Sequence, residues 1–268
     1  LQRNKVFEIL ASGNMIPGLS RDDILSFKIP CPPEEQQEKI SEIFSMWDEA
    51  ISKTEKLIQA KKRYKKGLMQ RLLSGKVRFP EFEGEEWVEV KLGDITTEKR
   101  IKGKSVELNT ENRGMPYIGS TSFKGDFTQY TDDPKAVIAK KRDLLLLWDG
   151  EYAGKITTNL EGAASSTVAV IKLKSNVNNM YLKLLMEYEN GKIRAITEGS
   201  GIPHIPKDFI KWYKVKLPSI EEQSKIVDLI AGVESEVSLL THKADLFKKQ
   251  KKGLMQQLLT GKLRVNLN

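Results

Sequence analysis

The sequence predicts an α+β chain: a globular domain with a small mixed sheet, carried on two long helices that form an antiparallel coiled coil. Three observations predict it. The chain repeats part of itself, each copy of the repeat carries a heptad stripe, and the segment between the copies is rich in short apolar runs and turns. With 268 residues there is room for one large domain or two small ones.

The repeat comes first, because a missed repeat misassigns the whole fold. Lys65-Lys-Gly-Leu-Met-Gln-Arg-Leu-Leu-Ser-Gly-Lys-Val-Arg78 recurs as Lys251-Lys-Gly-Leu-Met-Gln-Gln-Leu-Leu-Thr-Gly-Lys-Leu-Arg264. The offset of 186 aligns residues 13–78 with 199–264 without a gap, and 24 of those 66 positions are identical. The repeat divides the chain into a leading piece (1–30), a first arm (31–77), a unique segment (78–218) and a second arm (219–268), with net charges of +1, +3, +2 and +2. The sharp basic clusters, Lys61-Lys-Arg-Tyr-Lys-Lys66 and Lys248-Lys-Gln-Lys-Lys252, lie in the arms. In the register of the repeat, residues 1–30 match the tail of a domain like the unique segment, and the counterpart of residues 79–186 is not in this sequence.

Each arm reads as one helix. Positions 226, 230, 233, 237, 240, 244, 247, 251, 254 and 258 step by four and three and carry Ile, Ile, Val, Val, Leu, Ala, Phe, Lys, Leu and Leu. That is a coiled-coil seam. The equivalent positions of the first arm, from Ile40 through Phe44, Trp47, Ile51, Thr54, Ile58, Lys61, Lys65 and Leu68 to Leu72, keep the phase but are more polar. Pro32, Pro33, Glu34 and Glu35 suit a helix start. Ser219 with Glu222 reads as a capping box. Gly75 and Gly261 stop the helices. About 40 residues at 1.5 Å make roughly 60 Å of helix, so the stripe needs another helix to cover it. A homodimeric coil would serve, but duplication within one chain favours pairing of the two arms. Antiparallel pairing would set the basic cluster of each helix near the start of the other and give an elongated molecule.

The unique segment mixes strands and turns. Glu89–Leu92, Ala136–Ala139 and Asp143–Trp148 are short apolar runs, the last ending in an Asp149-Gly150 turn. Thr167–Leu173 alternates as a strand does, Asn178–Tyr188 is an amphipathic helix, and Ile210–Leu217 reads as a closing strand. This mix over about 140 residues is one α+β domain.

Composition removes several functions. The longest apolar runs fall far short of the 18 or so residues that span a membrane, and mean hydropathy is −0.42. No secretory leader is expected. One cysteine, Cys31, leaves no disulfide framework and fits a reducing, cytoplasmic setting. With His204 and His242 as the only histidines, a His/Cys zinc site is out of reach, and no metal site is expected. Cys31-Pro-Pro-Glu34 lacks the amide or carboxylate and the aromatic of an amino-methyltransferase motif. There is no Walker loop, no Phe-x-Gly-x-Gly cofactor loop and no Gly-x-Ser-x-Gly. Asp132-Asp133 has no partner at a metal-binding spacing. No catalytic residue is expected. The net charge of +8 suits nucleic acid or an acidic partner, although an ordinary solvated surface explains it as well.

The arrangement resembles the specificity (S) subunit of type I restriction–modification systems, the HsdS family. The likeness is carried by Ile-Pro-Lys-Asp-Phe-Ile210 with Val-Lys-Leu-Pro218 and Ile-Glu-Glu-Gln-Ser-Lys-Ile226, and by Lys-Lys-Gly-Leu-Met-Gln-Gln-Leu-Leu-Thr-Gly-Lys262. It is carried also by Phe79-Pro-Glu-Phe82 with Trp87-Val-Glu-Val-Lys-Leu-Gly-Asp94, and by Tyr117-Ile-Gly119 with Arg142-Asp-Leu-Leu-Leu-Leu-Trp-Asp-Gly150. The resemblance implies that 78–218 is a target recognition domain reading part of a DNA sequence. Residues 1–30 would then be the end of a first such domain, and 31–77 and 219–268 the coiled-coil helices that space the domains. It implies double-stranded DNA, methyltransferase (M) subunits and restriction/translocase (R) subunits as partners. It implies no chemistry in this chain, which binds no cofactor; S-adenosylmethionine, ATP and Mg belong to the partner subunits. A coiled-coil scaffold without sequence-specific readout is the alternative.

Base readout needs donors and acceptors on loops, and register needs phosphate contacts. Four loops offer them. Thr96–Lys104 carries Lys99, Arg100, Lys102 and Lys104, which suit phosphates or guanine. Gly119–Lys124 offers Ser120, Thr121 and Lys124. Trp148–Lys155 places Tyr152 and Lys155 beside Trp148, which reads as half-buried core. Gly199–His204 offers Ser200 and His204 on a backbone that glycine lets approach a groove. Each could also be an ordinary surface loop, and the arm clusters could be docking surfaces, phosphate contacts or solvated helix faces.

Overall fold

The computed structural model of the chain describes residues 21–26, 28–29, 31–98, 100–199 and 201–266. Most of the leading piece, with Lys99 and Ser200 among the expected site residues, lies outside them. The described residues fall into two compact units, one built from residues up to Gln59 together with Leu239 onwards, the other from Ala60–Ser238. The helical elements are α1 (Arg21–Ser26), α2 (Glu34–Leu72), α3 (Asn179–Tyr188), α4 (Asn190–Ala195), α5 (Phe209–Trp212) and α6 (Ile220–Leu258). The two arms are α2 and α6, of 39 residues each, and both contribute to both units.

The helices pair antiparallel within each unit. In the first, the Trp47 and Phe247 rings meet edge to face at 5.6 Å, Lys251 binds Asp48 and Lys248 binds Glu55. In the second, Lys61 binds Glu236 and Lys65 binds Glu234. In both units the partner number falls along α6 as it rises along α2. Every seam residue named above is buried or half-buried, as a 4,3 spacing on a paired helix requires. The polar members are accommodated individually. Thr54 Oγ1 donates back to the Ala50 carbonyl at 2.7 Å. Lys61, Lys65 and Lys251 lay their stems along the seam and place their ammonium groups on carboxylates at its edge. Lys65–Glu234 and Lys251–Asp48 are equivalent in the repeat.

Both helices end in the same way. Gly75 and Gly261 take φ of +69° and +73°, a left-handed conformation that favours glycine. The Val77 and Leu263 amides reach back to the Arg71 and Gln257 carbonyls. Helix α2 starts at Glu34, directly after Pro33, as expected, but the start of α6 differs from expectation. No capping box forms at α6: Ser219 Oγ is buried without a partner, and the Glu222 carboxylate is taken by Arg78 Nε at 3.0 Å, Arg78 Nη2 at 2.6 Å and Trp87 Nε1 at 3.1 Å. A half-buried guanidinium and indole outcompete a local backbone amide for that buried carboxylate.

The strands of the second unit are β1 (Val88–Lys91), β2 (Ile101–Lys102), β3 (Met115–Ile118), β4 (Tyr130–Thr131), β5 (Val137–Ala139), β6 (Leu144–Leu147), β7 (Ile156–Thr157), β8 (Gly162–Ala164), β9 (Val168–Ile171) and β10 (Lys214–Leu217). They form three sheets where one small mixed sheet was expected: β1-β10, β2-β9-β6-β7 and β4-β3-β8-β5. Only the last is mixed, through the parallel β3–β8 pair. The closing strand begins at Lys214, because Phe209–Trp212 turns helical first.

The Leu144–Leu147 run is uniformly apolar because its sheet is covered on both faces. Leu144 and Leu146 of β6 join Ala169 and Ile171 of β9 in one core, while Leu145 and Leu147 join Val168 and Val170 in the other. The first core includes α3 and the facing ends of α2 and α6; the second lies against β3, β5 and β8. Asn178 caps α3 by accepting from the Met180 and Tyr181 amides, and its own amide donates to Gln223 Oε1 at 2.9 Å, which ties α3 to the start of α6. Gly103 is fixed by close approach: a Cβ there would sit 2.1 Å from the Ser165 carbonyl oxygen, at the crossing between the two larger sheets.

Candidate nucleic-acid interface

The candidate loops converge on β6 and the turn that follows it. The strand β2 occupies part of the expected basic loop, so side chains there alternate between faces. Ile101 packs toward the second core, whereas Arg100 and Lys102 share the face of Trp148. The Arg100 Cζ lies 3.7 Å from the centre of the Trp148 ring. Lys102 Nζ binds Asp149 Oδ2 at 2.9 Å. Trp148 is 3% exposed, full core rather than half-buried. Burial pushes the Arg100 guanidinium below its ordinary pKa, with nearby Asp149 opposing the shift.

The 198–205 loop is zipped onto the same turn. The Ile205 amide donates to the Trp148 carbonyl and the Gly150 amide to the Pro203 carbonyl, both at 2.9 Å. Glu198 and His204 exchange two backbone bonds of 2.9 Å around Gly199, whose φ is +99°. The His204 ring faces its neighbour, with Nε2 3.5 Å from Glu198 Oε2.

A second cluster forms where the β6–β7 turn meets the other core. Tyr152 packs there beside Phe123. Lys155 Nζ stands 4.3 Å from its ring centre and Lys124 Nζ 5.1 Å from it, two cation–π contacts on one aromatic. Ser122–Lys124 is a short 3₁₀ turn ended by Gly125 at φ +86°, and Ser120 and Thr121 are exposed before it. Lys104, Lys124 and Lys155 make no ion pair with a carboxylate among the described residues, unlike Lys102.

The structure therefore sorts the expected cations. Lys104, Lys124 and Lys155 present uncompensated charge. Lys102 and His204 face carboxylates, and Arg100 is stacked. Sequence reasoning missed Asp149 and Glu198, the two carboxylates that make this division. The alternation of Arg100 and Lys102 on one strand face was the available signal for the first, but only with the strand placed beside β6.

An α+β unit set in sequence between two repeat-related antiparallel helices defines the architectural class. The chain belongs to the family described as the type I restriction modification DNA specificity domain, whose model matches residues 2–62 and 84–246. It is 32% identical over 185 residues to the type I restriction enzyme MjaVIII specificity subunit of Methanocaldococcus jannaschii, covering 66% of this chain and 42% of that protein. The chain thus spans less than half the length of that relative. Its fold is similar to the HsdS subunit from Thermoanaerobacter tengcongensis (TM-score 0.60, 20% identity, 94% of this chain and 65% of that one). It is also similar to the type I S subunit from M. genitalium (TM-score 0.63, 17% identity, 96% and 70%).

Proposed function

We propose that this chain is the sequence-reading component of a type I restriction–modification complex and directs adenine methylation and restriction by partner subunits. The observation that carries the reading is the membership of this family together with unpaired cations on the loops around Tyr152. Residues 78–218 would be the target recognition domain and 1–30 the end of another. The helices at 31–77 and 219–268 would set spacing and dock M subunits, with R subunits joining the assembly on double-stranded DNA. The chain itself would do no chemistry, with S-adenosylmethionine, ATP and Mg held by the partners, and the complex would work in the cytoplasm. No helix among the described residues is long and apolar enough to cross a membrane.

Lys104, Lys124 and Lys155 would contact phosphate. Each such contact contributes about 0.9 to the salt slope. Ser120, Thr121, Tyr152 and His204 would read base edges; by sequence Lys99 shares the loop of Lys104, and Ser200 that of His204. The test is to map methylated adenines in DNA exposed to the complex reconstituted with M subunits and S-adenosylmethionine. One recurring sequence context supports the reading; random or absent methylation rejects it and favours a bare scaffold. Exchanging residues 79–198 for those of a relative should move the affected half of that context.

A further inference from the structure

We propose that Arg100 reads a guanine from the major groove, presented by Trp148; the inference rests on the DNA-reading assignment above and specifies one of its contacts. The guanidinium lies against the ring of a buried tryptophan whose own backbone is fixed on both sides, its amide donating to the Thr167 carbonyl at 2.7 Å and its carbonyl accepting from Ile205. No oxygen among the described residues accepts a hydrogen bond from that guanidinium, and its Nη1 is buried without a partner. The neighbouring carboxylate, Asp149, is occupied by Lys102.

An arginine that serves the fold is forked onto an acceptor, as Arg78 is on Glu222 in the same unit. A buried donor left without one is unfavourable. Arg100 has the stacking half of such a site and lacks the acceptor half. Arg100 as a whole is only half-buried, so the missing partner is one that docks on the part of the side chain that remains open, accepts along a planar edge and tolerates a carboxylate nearby. Guanine meets these conditions, because O6 and N7 match the guanidinium fork. Adenine does not, since its N6 amino group would face another donor. Phosphate fits poorly: it would bring negative charge up to Asp149, and a side chain stacked on a fixed indole cannot follow a mobile backbone as Lys104 or Lys124 can.

The probe is a randomised duplex library, selected with the protein together with its M subunits, for the wild type, Arg100→Lys and Arg100→Met. The expected wild-type pool contains a fixed guanine. Arg100→Lys keeps the charge but not the fork, so it should leave the motif intact except for that position, and bind the original site about 5- to 150-fold more weakly. Replacing that guanine by 7-deazaguanine should weaken the wild type and not further weaken Arg100→Lys. Arg100→Met should melt no lower than the wild type, because it removes an unsatisfied buried donor. An unchanged motif in Arg100→Lys, uniform weakening on all sequences, or a drop in melting temperature of either variant overturns the inference. A wild-type motif without a fixed guanine overturns it while leaving the DNA-reading assignment standing. A wild-type pool with no motif removes both.

Discussion

The two copies of the repeat end in the same backbone and in different surroundings. At the end of α2, Gly75 lies beneath the Trp87 ring, Leu73 is 3% exposed, and Arg78 grips a Glu222 side chain that is 1% exposed. At the end of α6 the equivalents are Gly261, Leu259 and Arg264, and the position of Glu222 is held by Gln36. There Leu259 is 47% exposed, Arg264 is exposed, and Cys31, Pro32, Ile40 and Leu263 help to line an open cavity of about 220 Å³. The local bonds are alike, even to Gln37 and Gln223 each donating to the carbonyl of the equivalent proline at 2.8 and 2.9 Å. A repeated sequence thus repeats its turn and its cap, whereas burial depends on what is laid over them. Phe79, Trp87 and the β1–β10 ribbon cover one end, and no described residue does so at the other.

The largest test of that difference is Arg78→Ala against Arg264→Ala. Removing Arg78 strands a buried carboxylate and should cost about 3–5 kcal/mol in denaturant unfolding, while Arg264→Ala should stay within about 0.5 kcal/mol. Equal losses would show that the second end is covered in solution. Next comes Leu73→Ala, expected to cost about 2–5 kcal/mol through cavity formation, with Leu259→Ala costing under about 1 kcal/mol. Trp87→Phe keeps the covering ring but removes one hydrogen bond to a carboxylate, worth about 1.5–3 kcal/mol. The repeat-equivalent pairs Lys65–Glu234 and Lys251–Asp48 are expected to be alike. Glu234→Ala and Asp48→Ala should each cost about 0.2–1 kcal/mol, less at high salt, because both carboxylates are mostly exposed. The smallest effect is one of pH. The hydrogen bond from Lys214 holds the Glu89 carboxyl below its usual range. That pair therefore stabilises the β1–β10 ribbon above the unfolded carboxylate pKa, and the contribution is lost as pH falls through the lowered value. Unfolding of Glu89→Gln between pH 5 and 3 should show a shallower loss of stability than the wild type.

The legible parts of the molecule were those in which neighbours along the chain decide the outcome. The seam spacing identified which residues of α2 and α6 would be covered, and Gly75 and Gly261 marked both stops. The alternation of Thr167–Leu173 and the leucine run before Trp148 gave the two central strands. Prediction failed where a distant residue competes with a local one. Glu222 belongs to a capping pattern by sequence, yet it faces Arg78, a partner 144 residues away. Phe209–Trp212 has strand-forming aromatics, but Phe209 packs on Trp148 at 6.5 Å and on Tyr213 at 4.6 Å and the segment turns helical before β10. The short strands were resolved into three sheets only by pairings across the domain, such as Ile101 with Val170.

By itself the sequence determined the duplication, the helical pair and its phase, and the loops that carry cations, because repeats, heptads and charge are properties of order along the chain. The tertiary structure decided which of those cations remain available. Lys102 meets Asp149, and His204 faces Glu198 after the 198–205 loop is zipped onto the β6 turn. Arg100 is laid on Trp148, and Lys124 and Lys155 share Tyr152. Charge can be counted in one dimension, but its neutralisation depends on ångström distances between side chains that only the folded sheet brings together.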